Sequence, residues 1–211
     1  MKRYFIVIAV SIIAISCDDE NITSPSPIVN LMNLKVGNYW VYDWYEVNIT
    51  SGVVTNLNKR DSIIIEKDSI INDRTYYVKS NNYLGNVLRS KTLVFDSLST
   101  LYTYPDREIV LTLTKSMEVT KKIGPKDNPI AIGYYSIEDS RVNIQVPAGT
   151  FLSLNFRGRI ESQQSDYPYG IRYNDNFYSE NIGLVKVRTY NYSSPNDLEM
   201  RLLRHGRINV Q

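Results

Sequence analysis

Few side chains in this 211-residue chain are suited to covalent or metal chemistry. There is one cysteine, Cys17, and one histidine, His205. A single thiol excludes a disulfide within the chain, and one Cys with one His cannot furnish a Cys/His metal cluster. His205 falls near the end of an apolar-alternating segment with no nucleophile motif beside it, so it is expected at a surface or strand edge. Gly-x-Ser-x-Gly, a phosphate loop, His-Glu-x-x-His and an EF-hand loop are all absent. The 22 acidic residues leave room for a paired-carboxylate hydrolase, but no pair stands out. The reading therefore assigns no catalytic residue, no metal ligand and no cofactor.

Cys17 is different because of what precedes it. Lys2 and Arg3 head an apolar run from Tyr4 to Ile15, and the run ends in Ala14-Ile15-Ser16-Cys17. A helix needs about 20 apolar residues to cross a ~30 Å hydrocarbon core, so this run is a signal-peptide core rather than a span. A small residue directly before Cys resembles the lipobox of bacterial lipoproteins, with Ala14 where Leu is usual. The resemblance implies a diacylglycerol thioether on Cys17, cleavage before it, and acylation of the new amine. Residues 1–16 are then a lipoprotein signal peptide. The alternative is an ordinary signal peptide that contains a Cys. Several acyl chains on one residue suffice for stable anchoring to a membrane.

Asp18-Asp19-Glu20 follows at once. In one large group of Gram-negative bacteria such a cluster resembles a surface-export signal. In enteric-type sorting, Asp after Cys would instead imply inner-membrane retention, and a solvated linker would also be acidic. The expectation is a lipid-anchored outer-membrane protein, facing the surface. Residues 17–30 read as the lipidated Cys and a flexible linker, since Asn21, Thr23, Ser24, Pro25, Ser26 and Pro27 offer little to bury.

The remainder, 31–211, reads as one domain, a size that needs no disulfide staples. The whole chain is 43% hydrophobic, 22% charged and +2 in net charge. Without Lys2 and Arg3, 22 basic residues balance 22 acidic ones, which gives no electrostatic case for nucleic acid.

The elements that position any site are strands. In Arg141 to Val146, Val142, Ile144 and Val146 alternate with polar residues. Leu152, Leu154, Phe156 and Ile160 share a face of the next arm. Pro147-Ala148-Gly149 between them predicts a three-residue hairpin loop with Gly149 at φ > 0. Tyr39 to Thr50 is aromatic on both faces and holds Trp40 and Trp44, the only two Trp. That pattern suits a central strand covered on both sides, or an aromatic lining for a ligand. Ile71-Asn72-Asp73-Arg74 marks a hairpin between Asp61–Ile70 and Thr75–Ser80. Tyr83–Ser90, Lys91–Phe95, Leu101–Tyr104, Glu108–Lys115, Glu118–Ile123, Ile132–Ile137, Gly183–Tyr192 and Leu198–Arg204 complete the expected strands. No long repeat is visible. The polar stretch Gln163 to Asn176 reads as a loop, and loops of that length are functional or mobile. Its Tyr167, Tyr169 and Tyr173 are candidate ligand contacts, with ring-capping of the sheet end as the alternative. Three Asp-Ser-aliphatic triplets, at Ser62, Ser69 and Ser97, resemble O-glycosylation acceptors and are equally ordinary turn pairs.

Three segments together resemble a family of uncharacterised bacterial lipoproteins. They are Leu34-Lys-Val-Gly-Asn-Tyr-Trp40, Val146-Pro-Ala-Gly-Thr-Phe151 and Asn181-Ile-Gly-Leu-Val-Lys-Val187. The resemblance implies an all-β fold: one curved antiparallel sheet or partly open barrel, here of about 9–12 strands. It implies no activity. The expected function is a non-enzymatic binding or accessory module at the cell envelope, with an apolar, glycan or protein ligand. A structural envelope component is the alternative, and a hydrolase the less favoured one.

The anchor is directly testable. Intact-mass analysis of membrane-extracted protein should show residues 1–16 removed and lipid on Cys17. Cys17→Ser should release the protein from membranes or leave the precursor uncleaved. An unmodified Cys17 in the parent contradicts the reading.

Overall fold

The structure is a computed structural model, and it describes residues 27–209. Cys17, the 18–20 cluster and the signal segment lie outside the described residues. The described chain begins with a short helix, α1 (Pro27–Met32), and continues in thirteen strands. They are β1 (Asn38–Asn48), β2 (Val54–Ile71), β3 (Arg74–Asn81), β4 (Ser90–Ser97), β5 (Thr100–Tyr104), β6 (Ile109–Thr112) and β7 (Val119–Ile123). Then come β8 (Ala131–Ile137), β9 (Val142–Val146), β10 (Gly149–Ser162), β11 (Arg172–Ser179), β12 (Gly183–Tyr190) and β13 (Asn196–Arg207). No helix among the described residues is long and apolar enough to cross a membrane.

All the strands belong to one antiparallel sheet in the order β6-β5-β4-β3-β2-β1-β13-β12-β11-β10-β8-β7, with β9 paired to β10 alone. β1 pairs β13 in the middle of this order, joining the two ends of the described chain, and the sheet curls into a nearly closed barrel. The two ends of the path, β6 and β7, come face to face without pairing. This open seam is a groove of about 730 Å³ between residues 106–109 and 119–126. Its edges are short and charged, with Lys121 and Lys122 on β7, and such edges resist zipping or adding a foreign strand.

The interior is filled from the strands and plugged from below by α1. Ile28, Leu31 and Leu34 are buried there, and α1 packs on β11 and β12. Asn181 N–H donates to Asn30 O at 3.1 Å, tying the β11–β12 turn to the helix. Residues 27–30, expected in the flexible linker, are thus part of the folded body, because Ile28 has an apolar site to fill.

The Asn72-Asp73 turn forms as expected. Both residues have positive φ, at 49° and 58°, and Ile71 pairs Arg74 across it. That is the primed-turn geometry matching strand twist. The Pro147–Gly149 hairpin differs in detail. Gly149 has φ of 137°, as expected in sign, but it pairs with Val146, so the loop has two residues rather than three. The apolar face expected for this arm also breaks. Leu152 is exposed, Ser153 and Asn155 are buried, and the buried face switches at Phe156. The reason is that the hairpin leaves the barrel wall and laps over β12 and β13. Ala148 N–H donates to Leu202 O at 3.0 Å, and Val146 is buried there.

Other expectations need correction. The strand expected over Tyr83–Ser90 is a loop up to Arg89, because the buried carboxylate of Asp61 captures the N–H groups of Leu84 and Gly85 at 2.9 and 2.7 Å. The strand expected from Asp61 starts at Val54, with Asn58 at φ 53° breaking its regularity. β11 begins at Arg172, inside the polar stretch expected as loop, so only residues 163–171 remain irregular. Polar residues on β11 misled the pattern: they are pointed at a polar cavity. The count is thirteen against the expected 9–12.

Gly149→Val should cost about 1–3 kcal/mol through backbone strain at positive φ, since no neighbour crowds the added side chain. Pro147→Ala should cost less, about 0.4–1 kcal/mol. Thermal melts that show Gly149→Val as stable as the parent would contradict the turn assignment.

Candidate functional site

The inward face of β1 carries Trp40, Tyr42 and Trp44, all nearly inaccessible. Each finds a partner for its polar atom, as buried indoles and phenols require. Trp40 Nε1–H donates to Ile182 O at 2.6 Å, Tyr42 O–H to Leu184 O at 2.9 Å, and Trp44 Nε1–H to Asp61 Oδ2 at 2.6 Å. Burial holds the Tyr42 phenol well above its ordinary pKa. The strand is central in the sheet, but it is fully covered on its inward face alone: Tyr39, Tyr45 and Val47 on the other face are half-buried. Trp40 and Tyr42 also line a small apolar cavity, so the lining role is present as well.

The main cavity lies higher, against β7, β8, β10, β11 and β12. It measures about 250 Å³ and is lined by Val110, Lys121, Tyr135, Phe156, Asn174, Asn176, Tyr178, Val187 and Thr189. Two glycines create its wall. The Tyr135 ring lies over Gly158 and Gly133, and a Cβ at Gly133 would meet Tyr135 Cε2 at 2.7 Å. The ring therefore lies flat along the barrel wall, and Asn174 Nδ2 donates to its hydroxyl at 2.8 Å. Asn174 Oδ1 accepts from Thr189 Oγ1 at 3.2 Å and from Tyr190 N–H at 3.1 Å. Asn176 Nδ2 donates to Phe156 O at 3.0 Å. These amides are fixed by partners on neighbouring strands, so the polar lining is pre-organised.

Lys121 stands where this cavity meets the seam groove, and lines both. Its ammonium lies 5.2 Å from the Tyr135 ring centroid, a cation–π contact. Burial lowers its pKa, and the Glu108 carboxylate at the seam partly offsets that.

Below the main cavity, Val110 and Tyr178 also line the second cavity, of about 60 Å³. The rest of its wall is Met32, Leu34, Trp40, Tyr42, Ile63, Ile65 and Leu184, with one charged group, Lys79 of β3. Lys79 pairs with Ile65 and Thr92 on the adjacent strands, and Ile65 is fully buried beside it. Lys79 is half-buried, and its side chain lines the cavity. Desolvation alone moves its pKa, downward, and no carboxylate is close enough to oppose it.

The three tyrosines expected as ligand contacts are split. Tyr167 stacks on Tyr192 at 4.6 Å and meets Tyr169 edge-on at 5.5 Å. The Arg172 guanidinium lies 5.6 Å from the Tyr169 ring and 5.8 Å from Tyr190. This group folds back on the barrel rim. Tyr173 is on the outer face under Arg157, at 4.2 Å, and is 41% exposed. Tyr169 and Tyr173 meet again in one outer cleft of about 240 Å³ with Ile171, Arg157 and Arg188.

Two carboxylates are buried together on β13. Asp197 is held by Arg172 and Arg188, and Glu199 by Lys186 and Arg201. Each acid is thus neutralised by two cations, the arrangement of a clamp between strands. Among the described residues, no group of three or more His, Cys, Asp or Glu could hold a metal ion. His205 is exposed, 6.3 Å from the Phe151 ring. Of the Asp-Ser triplets, Asp61 is buried and Ser62 Oγ accepts from Arg89 at 2.7 Å, so that pair is engaged in the fold.

Sequence reasoning missed Lys79, Lys121, Asn174 and Asn176. One signal was available for Lys121. Lys121 and Lys122 are adjacent in a strand, so one of them must face inward once the sheet closes. Lys79 gave none, since it shares a face with Tyr77 while Tyr76 and Val78 on the other face are equally apolar.

No family model and no curated protein matches the chain. Among solved structures it is similar to a protein of Parabacteroides distasonis ATCC 8503 described as a candidate lipoprotein. The TM-score is 0.48 at 16% identity, over 82% of this chain and 96% of that one. It is also similar to a candidate exported protein with a YmcC-like fold from Bacteroides fragilis NCTC 9343. There the TM-score is 0.47 at 14% identity, over 82% of this chain and 97% of that one.

Lys79 makes a test of the interior. Lys79→Met keeps the length and removes an unpaired buried charge, so it should stabilise the fold at pH 7 by about 1–3 kcal/mol. The folded-state pKa is below the unfolded value of 10.5, so the cost of Lys79 is full where both states are protonated. It fades as pH rises from the folded pKa to 10.5. The gap in melting temperature between variant and parent should therefore shrink as pH is raised from 7 towards 10.5. A pH-independent gap, or a less stable variant, contradicts this placement.

Proposed function

We propose that this chain is a non-enzymatic binding module of the cell envelope. It is anchored to the outer membrane through lipid on Cys17, and it holds a small ligand inside the barrel. The observation that carries the reading is the 250 Å³ cavity in the barrel, which shares Lys121 with the seam groove between β6 and β7. Small-molecule sites are concave, mostly pre-formed, and mix apolar walls with a few oriented polar groups. Phe156, Val110 and Val187 supply the apolar wall, and Asn174, Asn176 and Lys121 the polar groups. A purely structural barrel gains nothing from leaving this volume unfilled, since empty space forfeits packing. The seam supplies the entrance, because no backbone ladder has to break to open it.

A second reading has its own observation. Tyr169 and Tyr173 line the outer cleft together with exposed Ile171, which suits a protein or glycan contact at the barrel rim. It stands beside the first reading and does not compete for the same residues.

Val187→Trp fills the main cavity and tests the first reading. Native mass spectrometry of protein extracted from its own membranes should find a small molecule on the parent and none on Val187→Trp. The melting temperature should stay within a few degrees. Equal ligand loading on both proteins would remove the interior as the site. Tyr169→Ala with Tyr173→Ala should leave that loading unchanged.

A further inference from the structure

We propose that the ligand is a small organic anion with an apolar body, and that Lys79 is the cation that receives its acid group. The inference rests on the interior-binding reading and adds the chemistry of what is bound. Two lysines, Lys79 on β3 and Lys121 on β7, line the two cavities, and no Asp or Glu lines either one. The lining of the two cavities therefore carries cations and no acid, while the chain as a whole is close to neutral. At the mouth, Glu108 stands near Lys121 and partly balances it. Lys79 has no such neighbour, forms no ion pair among the described residues, and is enclosed by side chains such as Ile63, Ile65, Leu34 and Leu184. A buried, unpaired ammonium is costly, and an acid group brought to it supplies the missing partner.

The walls decide the rest of the ligand. Around Lys79 the cavity is lined mainly by apolar groups; its polar atoms are the tips of Trp40 and Tyr42, already hydrogen-bonded, and the Tyr178 hydroxyl. An inorganic anion would leave these walls unmatched, whereas a carboxylate on a hydrocarbon body would cover them. The path inward is marked by Lys121 at the seam, then Asn174 and Asn176, then Val110 and Tyr178, which belong to both cavities. A cation at the mouth and a second one at the bottom draw an anion along this path.

Hexanoate and 1-hexanol separate charge from hydrocarbon, since they share one chain and differ in the head. Both are titrated by calorimetry into the full chain carrying Cys17→Ser, so that no acyl chain competes for the cavity. Hexanoate should bind at least tenfold tighter than hexanol. Lys79→Met and Lys79→Gln should each abolish that preference while still binding hexanol, and Lys121→Gln should reduce it less. Equal binding of the two ligands to the parent, or a preference that survives in both Lys79 variants, overturns the anion proposal. In that case hexanol binding that Val187→Trp abolishes leaves the interior-binding reading standing. If neither ligand binds the parent, the anion proposal falls with the interior as the entry site for apolar molecules.

Discussion

The barrel depends on one constraint. A sheet closed on itself must fill its own lumen, and it must satisfy every polar group it brings there. β1 meets most of this demand with Trp40, Tyr42 and Trp44, whose large rings reach towards the axis. Their polar atoms bind Ile182 O, Leu184 O and Asp61 on other elements, so the filling is also a cross-link. Asp61 in turn holds the 84–85 turn, and Ile182 belongs to the turn that rests on α1. One inward stripe thus ties together the wall, the end loop and the helical plug.

On the opposite wall the same demand is deliberately under-met. Gly133 and Gly158 remove side chains where Tyr135 lies flat, and the ring occupies the wall rather than the lumen. The volume left over is lined by Asn174, Asn176 and Thr189, on strands whose polar faces would otherwise be out of place in a core. Wall curvature and cavity are therefore one feature: glycines let the sheet bend closely, and the bend leaves the space. The unpaired seam next to this space lies between two short edge strands, β6 and the lysine-bearing β7.

The outer surface is organised by charge. Asp197 and Glu199 on β13 draw Arg172, Arg188, Lys186 and Arg201 from β11, β12 and β13 itself. Breaking one side of such a buried set leaves an uncompensated charge, which costs more than the pair contributes. The rim tyrosines stack onto the same Arg172, so the loop at 163–171 is held by the clamp beneath it. Tyr167 of this loop packs on the rim, while Tyr169 and, on β11, Tyr173 reach the outer cleft.

The sequence by itself determined the class of structure. Period-2 patterns, the Asn72-Asp73 turn, the positive φ of Gly149 and the crowded aromatics of residues 39–45 are local properties, set by sterics and alternation within a few residues. They gave an all-β single domain, most of its strands, and the neutral charge that argues against nucleic acid. The sequence did not reveal which face of each strand is inside, because alternation says that two faces differ and not which one meets the axis. That depends on how the sheet curls, and on long-range pairs such as β1 with β13 across nearly the whole chain. Closure turned Lys79 and Lys121 inward, made the polar residues of β11 a cavity wall, sent Tyr173 outward, and carried the β9–β10 hairpin over β12 and β13. Each of these positions is fixed by contacts between residues far apart in sequence, and only the tertiary structure brings those residues together.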